Sequence, residues 1–290
     1  MIGIVGQGYV GKAIKNVFSD FYSSNKHDTK KIFTYDIALD SESNVLSLKD
    51  LVKKSEFIFI CVPTPSNDDG SSHIGIVEDV VSKINSFSIT LEKRCTVIIK
   101  STVIPGTTKM LDEKNKSIDV IFNPEFLREA SFLEDFKNQN RIILGGKKLA
   151  VDSVEKIYNE IFKNINIIKT DPSTAEMVKY LTNTFLATKV SFANEIKLLC
   201  DKADINYEEV IKYSLYDKRL GDSHWSVPGP DGKIGFGGSC FPKDLKALIC
   251  FSKNLEIDLD LLNAAWKTNL KLRPEKDWEE LKGRSVIKKD

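Results

Sequence analysis

Histidine is scarce in this chain of 290 residues. Its three copies, His27, His73 and His224, lie far apart in sequence. They show no metal-ligand spacing, so no metal site is expected. Cysteine is limited to Cys61, Cys95, Cys200, Cys240 and Cys250, an odd number with no paired framework. That pattern predicts reduced thiols and a cytoplasmic setting. The formal net charge is only +1, which gives no charge excess to draw the chain to nucleic acid or to an acidic membrane surface. No apolar run approaches the ~18 residues of a membrane span. The opening Met1-Ile2-Gly3-Ile4-Val5 has neither the charged start nor the long apolar core of a signal peptide. Internal repeats and low-complexity segments are missing too. What remains is an ordinary globular composition, 41% hydrophobic and 29% charged, on a chain long enough for one large or two ordinary domains.

The first motif follows at once. Ile2–Val5 reads as a short buried strand, Gly6-Gln7-Gly8-Tyr9-Val10-Gly11 as a turn, and Ala13, Ile14, Val17 and Phe18 as the apolar face of a helix. A glycine fingerprint is weak alone and gains force between a strand and a helix. Gly6 suits the tight turn, Gly8 lets backbone meet a pyrophosphate, and Gly11 lets helix pack on strand. Tyr9 and Val10 open the helix, whose free N–H groups favour the phosphate. A second strand, Ile32–Tyr35, ends in Asp36. An acid there is placed to bond both ribose hydroxyls, which predicts NAD over NADP.

Strand and helix patterns then alternate. Strands are expected at 57–62, fully buried by composition, and at 95–100, 119–122, 141–146 and 165–168, with a helix at 77–87. This alternation predicts a doubly wound parallel α/β sheet. Ligands bind such sheets outside the carboxyl ends of the strands, where Thr64 and Thr102 fall as cofactor contacts. Asn123-Pro124-Glu125 has the residue types of a helix start. Glu125 and Glu129 would share one face of that helix.

Asp171-Pro172-Ser173 marks a boundary. Residues 1–170 read as a Rossmann-like domain and 171–290 as an all-helical domain. The latter is built on a long helix from Thr174, with Ala175, Val178, Leu181, Phe185, Thr188 and Phe192 near one stripe. So long and apolar a helix predicts a homodimer packed through it. Lys179 and Asn183 sit one turn apart on it. Further helices are expected within 201–215 and 255–273, a loop at 216–234, and a frayed tail after 284.

The densest chemistry lies in Gly235-Phe236-Gly237-Gly238-Ser239-Cys240-Phe241-Pro242-Lys243-Asp244. The glycines, Gly237 among them, let backbone approach a ligand closely. Ser239 is a candidate N-cap, and Pro242 is tolerable in a first turn. Cys240 would then sit where a helix dipole suits a nucleophilic sulfur. Lys243 adds positive charge, and Asp244 falls one turn on, as a base beside the nucleophile.

Five motifs in order give the chain a resemblance to the UDP-glucose and GDP-mannose 6-dehydrogenase family. They are the Gly6–Gly11 turn, Lys100-Ser101-Thr102-Val103, Asn123-Pro124-Glu125-Phe126-Leu127-Arg128-Glu129, Lys179 with Asn183, and 236–244. The resemblance implies two successive oxidations of a 6-hydroxymethyl group with two NAD. By the same likeness Cys240 is the nucleophile, forming a thiohemiacetal and then a thioester. Lys179 would stabilise oxyanions, and Asp244 with Lys179 would hold water and relay protons. Glu125, Glu129 and Asn183 would position water and sugar, with Glu129 also near the cofactor. Thr102 would touch nicotinamide and the reacting centre. Arg219 would reach the neighbouring subunit's sugar site. The substrate side would comprise Arg219, Lys179, Asn183 and Gly237. Typical members continue for a further nucleotide-binding lobe, so this chain reads as a short form without it. Its loop at 223–232 also lacks the family's phosphate-gripping pattern. Two other readings stand beside this one: a single-step hydroxyacid dehydrogenase, which leaves Cys240 and Asp244 unexplained, and a non-catalytic NAD-binding protein.

Overall fold

The computed structural model describes residues 1–24, 31–37 and 43–288; His27 and most of the expected loop at 23–31 lie outside them. The chain divides into two compact units, Met1–Thr64 with Ile74–Lys179, and Pro65–His73 with Tyr180–Asp290.

The first unit is a seven-stranded sheet of β1 (Ile2–Val5), β2 (Ile32–Tyr35), β3 (Phe57–Ile60), β4 (Thr96–Ile99), β5 (Asp119–Phe122), β6 (Arg141–Gly145) and β7 (Asn166–Thr170). Their spatial order is β2-β1-β3-β4-β5-β6-β7. Its helices are α1 (Tyr9–Ser24), α2 (Leu48–Lys54), α3 (Gly75–Thr90), α4 (Thr107–Lys114), α5 (Phe132–Lys137) and α6 (Lys148–Ile161). Successive strand side chains point to opposite faces. Thus Ile58, Ile60, Val97 and Ile99 join one core with Leu51, Val77 and Val81. Phe59 and Ile98 join the other, with Phe18, Phe136 and Tyr158. Burial on both faces explains why these strands read as continuous apolar runs.

The sheet departs from the expected all-parallel form at one pair. β5 and β6 are antiparallel, through Phe122 and Gly145, while every other neighbouring pair is parallel. A parallel crossover needs a helix that carries the chain back along the sheet. Between β5 and β6 the only α-helix is the six-residue α5, about 9 Å of rise, so the chain re-enters from the same end. The expected helix at Pro124 is also not formed. Residues 123–128 are irregular, and a short 3-10 turn begins only at Glu129.

The 31-residue helix α7 (Pro172–Lys202) starts in the first unit and continues in the second. The second unit adds α8 (Tyr207–Ser214), α9 (Phe241–Lys253) and α10 (Asp260–Leu272); Leu245 and Ile249 of α9 form a core with Ala187 of α7 and Phe236, against which Leu262 and Trp266 of α10 pack. On α7 the expected stripe splits. Ala175 is buried, whereas Leu181, Phe185 and Phe192 are exposed, each by more than half. Of the tail expected to fray, residues 285–287 are docked, and 289–290 lie outside the described residues. Ser66 donates its N–H to the Ser285 carbonyl at 2.8 Å and accepts from the Ile287 N–H at 3.0 Å. Main-chain pairing of that kind gives the terminal residues partners that sequence position alone does not reveal.

Candidate active site

The glycine fingerprint has the local geometry its residue types call for. Gly6 adopts φ +92°, and a Cβ on Gly11 would stand 2.0 Å from the Gly6 carbonyl oxygen. Gly8 has open space around it, so backbone there is free to meet a phosphate. Tyr9 and Val10 begin α1 directly after it. Asp36 closes β2, and its Oδ2 accepts the Gln7 N–H at 2.6 Å. The acid at the end of β2 is thereby tied to the glycine turn. These features together fit a dinucleotide. Thr64 is buried beyond the end of β3, and Thr102 is half-buried beyond β4. Between them Ser101 donates its hydroxyl to the Val62 carbonyl at 2.6 Å, bracing one loop on the other.

Beside these loops lies a buried polar cluster. Lys100 Nζ sits 2.8 Å from Glu125 Oε2 and donates to Asn123 Oδ1 at 3.1 Å. Tyr158 gives its hydroxyl to the same oxygen at 2.5 Å, and Asn123 Nδ2 donates to the Ile143 carbonyl at 2.8 Å. Lys179 Nζ donates to the Glu125 main-chain carbonyl and lies 5.3 Å from the Phe126 ring centre. Two buried lysines thus meet one residue, Lys100 at the Glu125 carboxylate and Lys179 at its main-chain carbonyl. Burial, helped by the Glu125 charge, pushes the Tyr158 hydroxyl well above its ordinary value. Burial likewise pushes the Cys61 thiol up to about 12, against a smaller opposing pull from Lys100. Asn123 and Glu125 had the residue types of a helix start, but their side chains are committed to this cluster. Glu129 lies outside it, exposed on the 3-10 turn. Sequence reasoning passed over Lys100 and Tyr158 as site residues. A lysine directly after the apolar run Val97-Ile98-Ile99 is the available signal for a buried charge.

In the second unit Cys240 is itself the cap residue of α9, with no side-chain cap bond, and Ser239 stands one position earlier than expected. Ser239 Oγ lies 3.8 Å from Cys240 Sγ. Cys240 is exposed, whereas the other four cysteines are buried or half-buried. One turn on, Asp244 is almost fully buried. Its Oδ1 takes Lys243 Nζ and its Oδ2 takes Asn183 Nδ2, both at 2.5 Å. Lys243 is therefore the counter-ion of Asp244. Arg219 is exposed on a 3-10 turn and forms a fork with the Asp217 carboxylate, whose titration it lowers.

Two adjoining family models match the chain, the first beginning just after the glycine turn and Asp36. Residues 41–166 match the NAD binding domain of the UDP-glucose/GDP-mannose dehydrogenase family, and residues 173–271 match its central domain. The UDP-glucose 6-dehydrogenase of Rickettsia felis is 36% identical over 288 residues, 94% of this chain and 62% of that protein. That of Rickettsia bellii is 41% identical over 229 residues, 77% of this chain and 51% of that protein. The chain thus spans between half and two thirds of the length of these relatives. Among solved structures, a UDP-glucose dehydrogenase from Pyrobaculum islandicum aligns with TM-score 0.83 and 29% identity, covering 93% of this chain and 68% of that one. A GDP-mannose dehydrogenase from Pseudomonas aeruginosa aligns with TM-score 0.67 and 27% identity, covering 94% and 69%. NAD is accordingly the cofactor of the sheet domain. With both models matched in order and together spanning most of its length, the chain belongs to the UDP-glucose/GDP-mannose dehydrogenase family.

Proposed function

We propose that this chain oxidises the 6-hydroxymethyl group of a nucleotide sugar to the carboxylate, with Cys240 as nucleophile. The observation that carries the reading is the exposed Cys240 on the cap of α9, one turn before the buried Lys243–Asp244–Asn183 network. The relatives' names, UDP-glucose 6-dehydrogenase, support the reaction class. NAD supplies a hydride acceptor twice for each acid formed.

The chain's own residues supply the rest. Loss of hydride from the hydroxymethyl carbon and of the hydroxyl proton gives an aldehyde; Cys240 Sγ adds to its carbon, forming an S–C bond while the carbonyl pair moves onto oxygen. Loss of hydride from that carbon leaves a thioester. Water then adds, the C–S bond breaks, and sulfur departs as thiolate. Lys179 places a fixed positive charge for the developing oxyanions, worth most in a buried setting. Asp244, already paired with Lys243, holds water and, with Lys179, relays protons. Glu125, Glu129 and Asn183 position water and sugar, Thr102 adjoins the nicotinamide and the reacting carbon, and Gly237 offers backbone to the sugar. Arg219, held on Asp217, reaches a neighbouring subunit's sugar.

That neighbour is a second copy docked on α7, whose Leu181, Phe185 and Phe192 present an exposed apolar face. A monomer in sedimentation at micromolar concentration contradicts this dimer. Free thiols fit a reducing, cytoplasmic compartment. Among the described residues no helix is long and apolar enough to cross a membrane.

Alkylation tests the nucleophile. Iodoacetamide should label Cys240 first and be slowed there by NAD with nucleotide sugar. Cys61 and Cys95, whose thiols burial pushes up, should react last. Fastest labelling at another cysteine contradicts the assignment.

A further inference from the structure

The segment that leads into Cys240 is held from outside itself. Gly235 adopts φ +69°, and a Cβ there would stand 2.5 Å from Asn269 Oδ1. Asn269, on the last turn of α10, is fully buried. Its Oδ1 accepts the Phe236 N–H at 2.7 Å. Its Nδ2 donates to the Phe236 carbonyl at 2.9 Å. One side chain thus makes the two bonds that a neighbouring strand would make with a single residue. Asn194 of α7 accepts the preceding N–H, that of Gly235, at 3.2 Å. On the following residue, a Cβ at Gly237 would meet Arg273 Cζ at 2.6 Å. That guanidinium is itself fixed by Asp231 and Asp277. The Phe236 ring is anchored against Trp266 and Phe241. Beyond these holds the loop is open, and Gly238 and Cys240 are exposed.

We infer that Asn269 is a positioning residue. By pairing with both main-chain groups of Phe236, it fixes the backbone four residues before Cys240. The Gly237–Cys240 segment then meets the sugar in one geometry. This inference rests on the function proposed above. An unpaired buried amide or carbonyl is disfavoured, so the two bonds give Phe236 one preferred main-chain orientation. A nucleophile displaced by about 1 Å loses about a hundredfold in rate, so the hold belongs to catalysis as well as to folding.

Asn269→Asp separates those roles. The carboxylate keeps the shape and the acceptor but loses the donor to the Phe236 carbonyl. The expected result is a fall in kcat of about tenfold or more, with KM for NAD within about twofold of wild type. A folded variant with wild-type kcat overturns the inference, as does a KM for NAD that rises in step with the loss of kcat. Should this variant fail to fold, amide hydrogen exchange on the wild type reads the same hold. The Phe236 N–H should be protected like the interior of α9, and exchange as fast as that of Gly238 overturns the inference. If the wild type turns over no nucleotide sugar, the functional reading fails on its own, and the exchange measurement still decides whether the hold exists.

Discussion

Asn183 on α7 donates its side-chain amide to Oδ2 of Asp244 on α9, across 61 positions of sequence. The other carboxylate oxygen is taken by Lys243, the residue just before it. A carboxylate so deeply buried depends on both partners, because a buried charge stripped of a hydrogen bond keeps its desolvation penalty. Asn183→Ala should cost about 1–3 kcal/mol in urea unfolding. It should also lower kcat by about tenfold or more. Unchanged stability together with unchanged kcat would contradict this.

Asp36 bears on the choice of cofactor. Its carboxylate is fixed on the Gln7 N–H at 2.6 Å, so a 2′-phosphate would be brought against a charge that cannot swing away. Wild type should bind NADP about tenfold or more weakly than NAD, a difference of about 1.4 kcal/mol. Asp36→Ala should weaken NAD and narrow the gap, as read by fluorescence titration. Equal affinity of the wild type for both cofactors contradicts the ribose assignment.

Acid stability should report on Asp277. Hydrogen bonds from Arg273 foremost, and then from Lys233, hold its carboxyl at about 2, below the ordinary 3.8. A depressed acid contributes stability that is present above its unfolded pKa and lost as pH falls through the folded one. The window therefore runs from about pH 4 down to about pH 2. Asp135, which Arg128 likewise holds at about 2, acts in the same window, so the test is a difference between proteins. The thermal midpoint of the wild type should fall more steeply across that window than that of Asp277→Asn. Parallel slopes would contradict the assignment.

The sequence made the loops legible and left their supports hidden. The Gly6–Gly11 turn and the seven strands follow from local pattern, because turn chemistry and apolar runs are properties of neighbouring residues. The partners of those loops come from far along the chain. Glu176, near the start of α7, accepts the Gly106 N–H at 2.6 Å and the Thr108 N–H at 2.8 Å. It caps α4, whose own cap residue is a glycine without a side chain. Nothing local marks that carboxylate, which burial pushes above its ordinary value. Asn123-Pro124 misled for the opposite reason: a strong local signal for a helix start was overridden when Lys100, Tyr158 and the Ile143 carbonyl took up the Asn123 side chain. Residues 283–287 likewise have no pattern of their own; they are held by a turn on Leu281 and by the distant Ser66.

The central claim is a two-step oxidation through Cys240. The most direct test counts NADH released against carboxylate formed, for wild type and Cys240→Ser, with UDP-glucose, GDP-mannose and UDP-N-acetylmannosamine as substrates. The account predicts two NADH per acid with at least one of them. It also predicts a loss of turnover of about a thousandfold or more in Cys240→Ser, since a serine ester is a poorer intermediate than a thioester. One NADH per product, with full activity in Cys240→Ser, would contradict the account in favour of a single-step dehydrogenase. Binding of NAD with no turnover of any of the three by wild type would contradict it in favour of a non-catalytic binding protein.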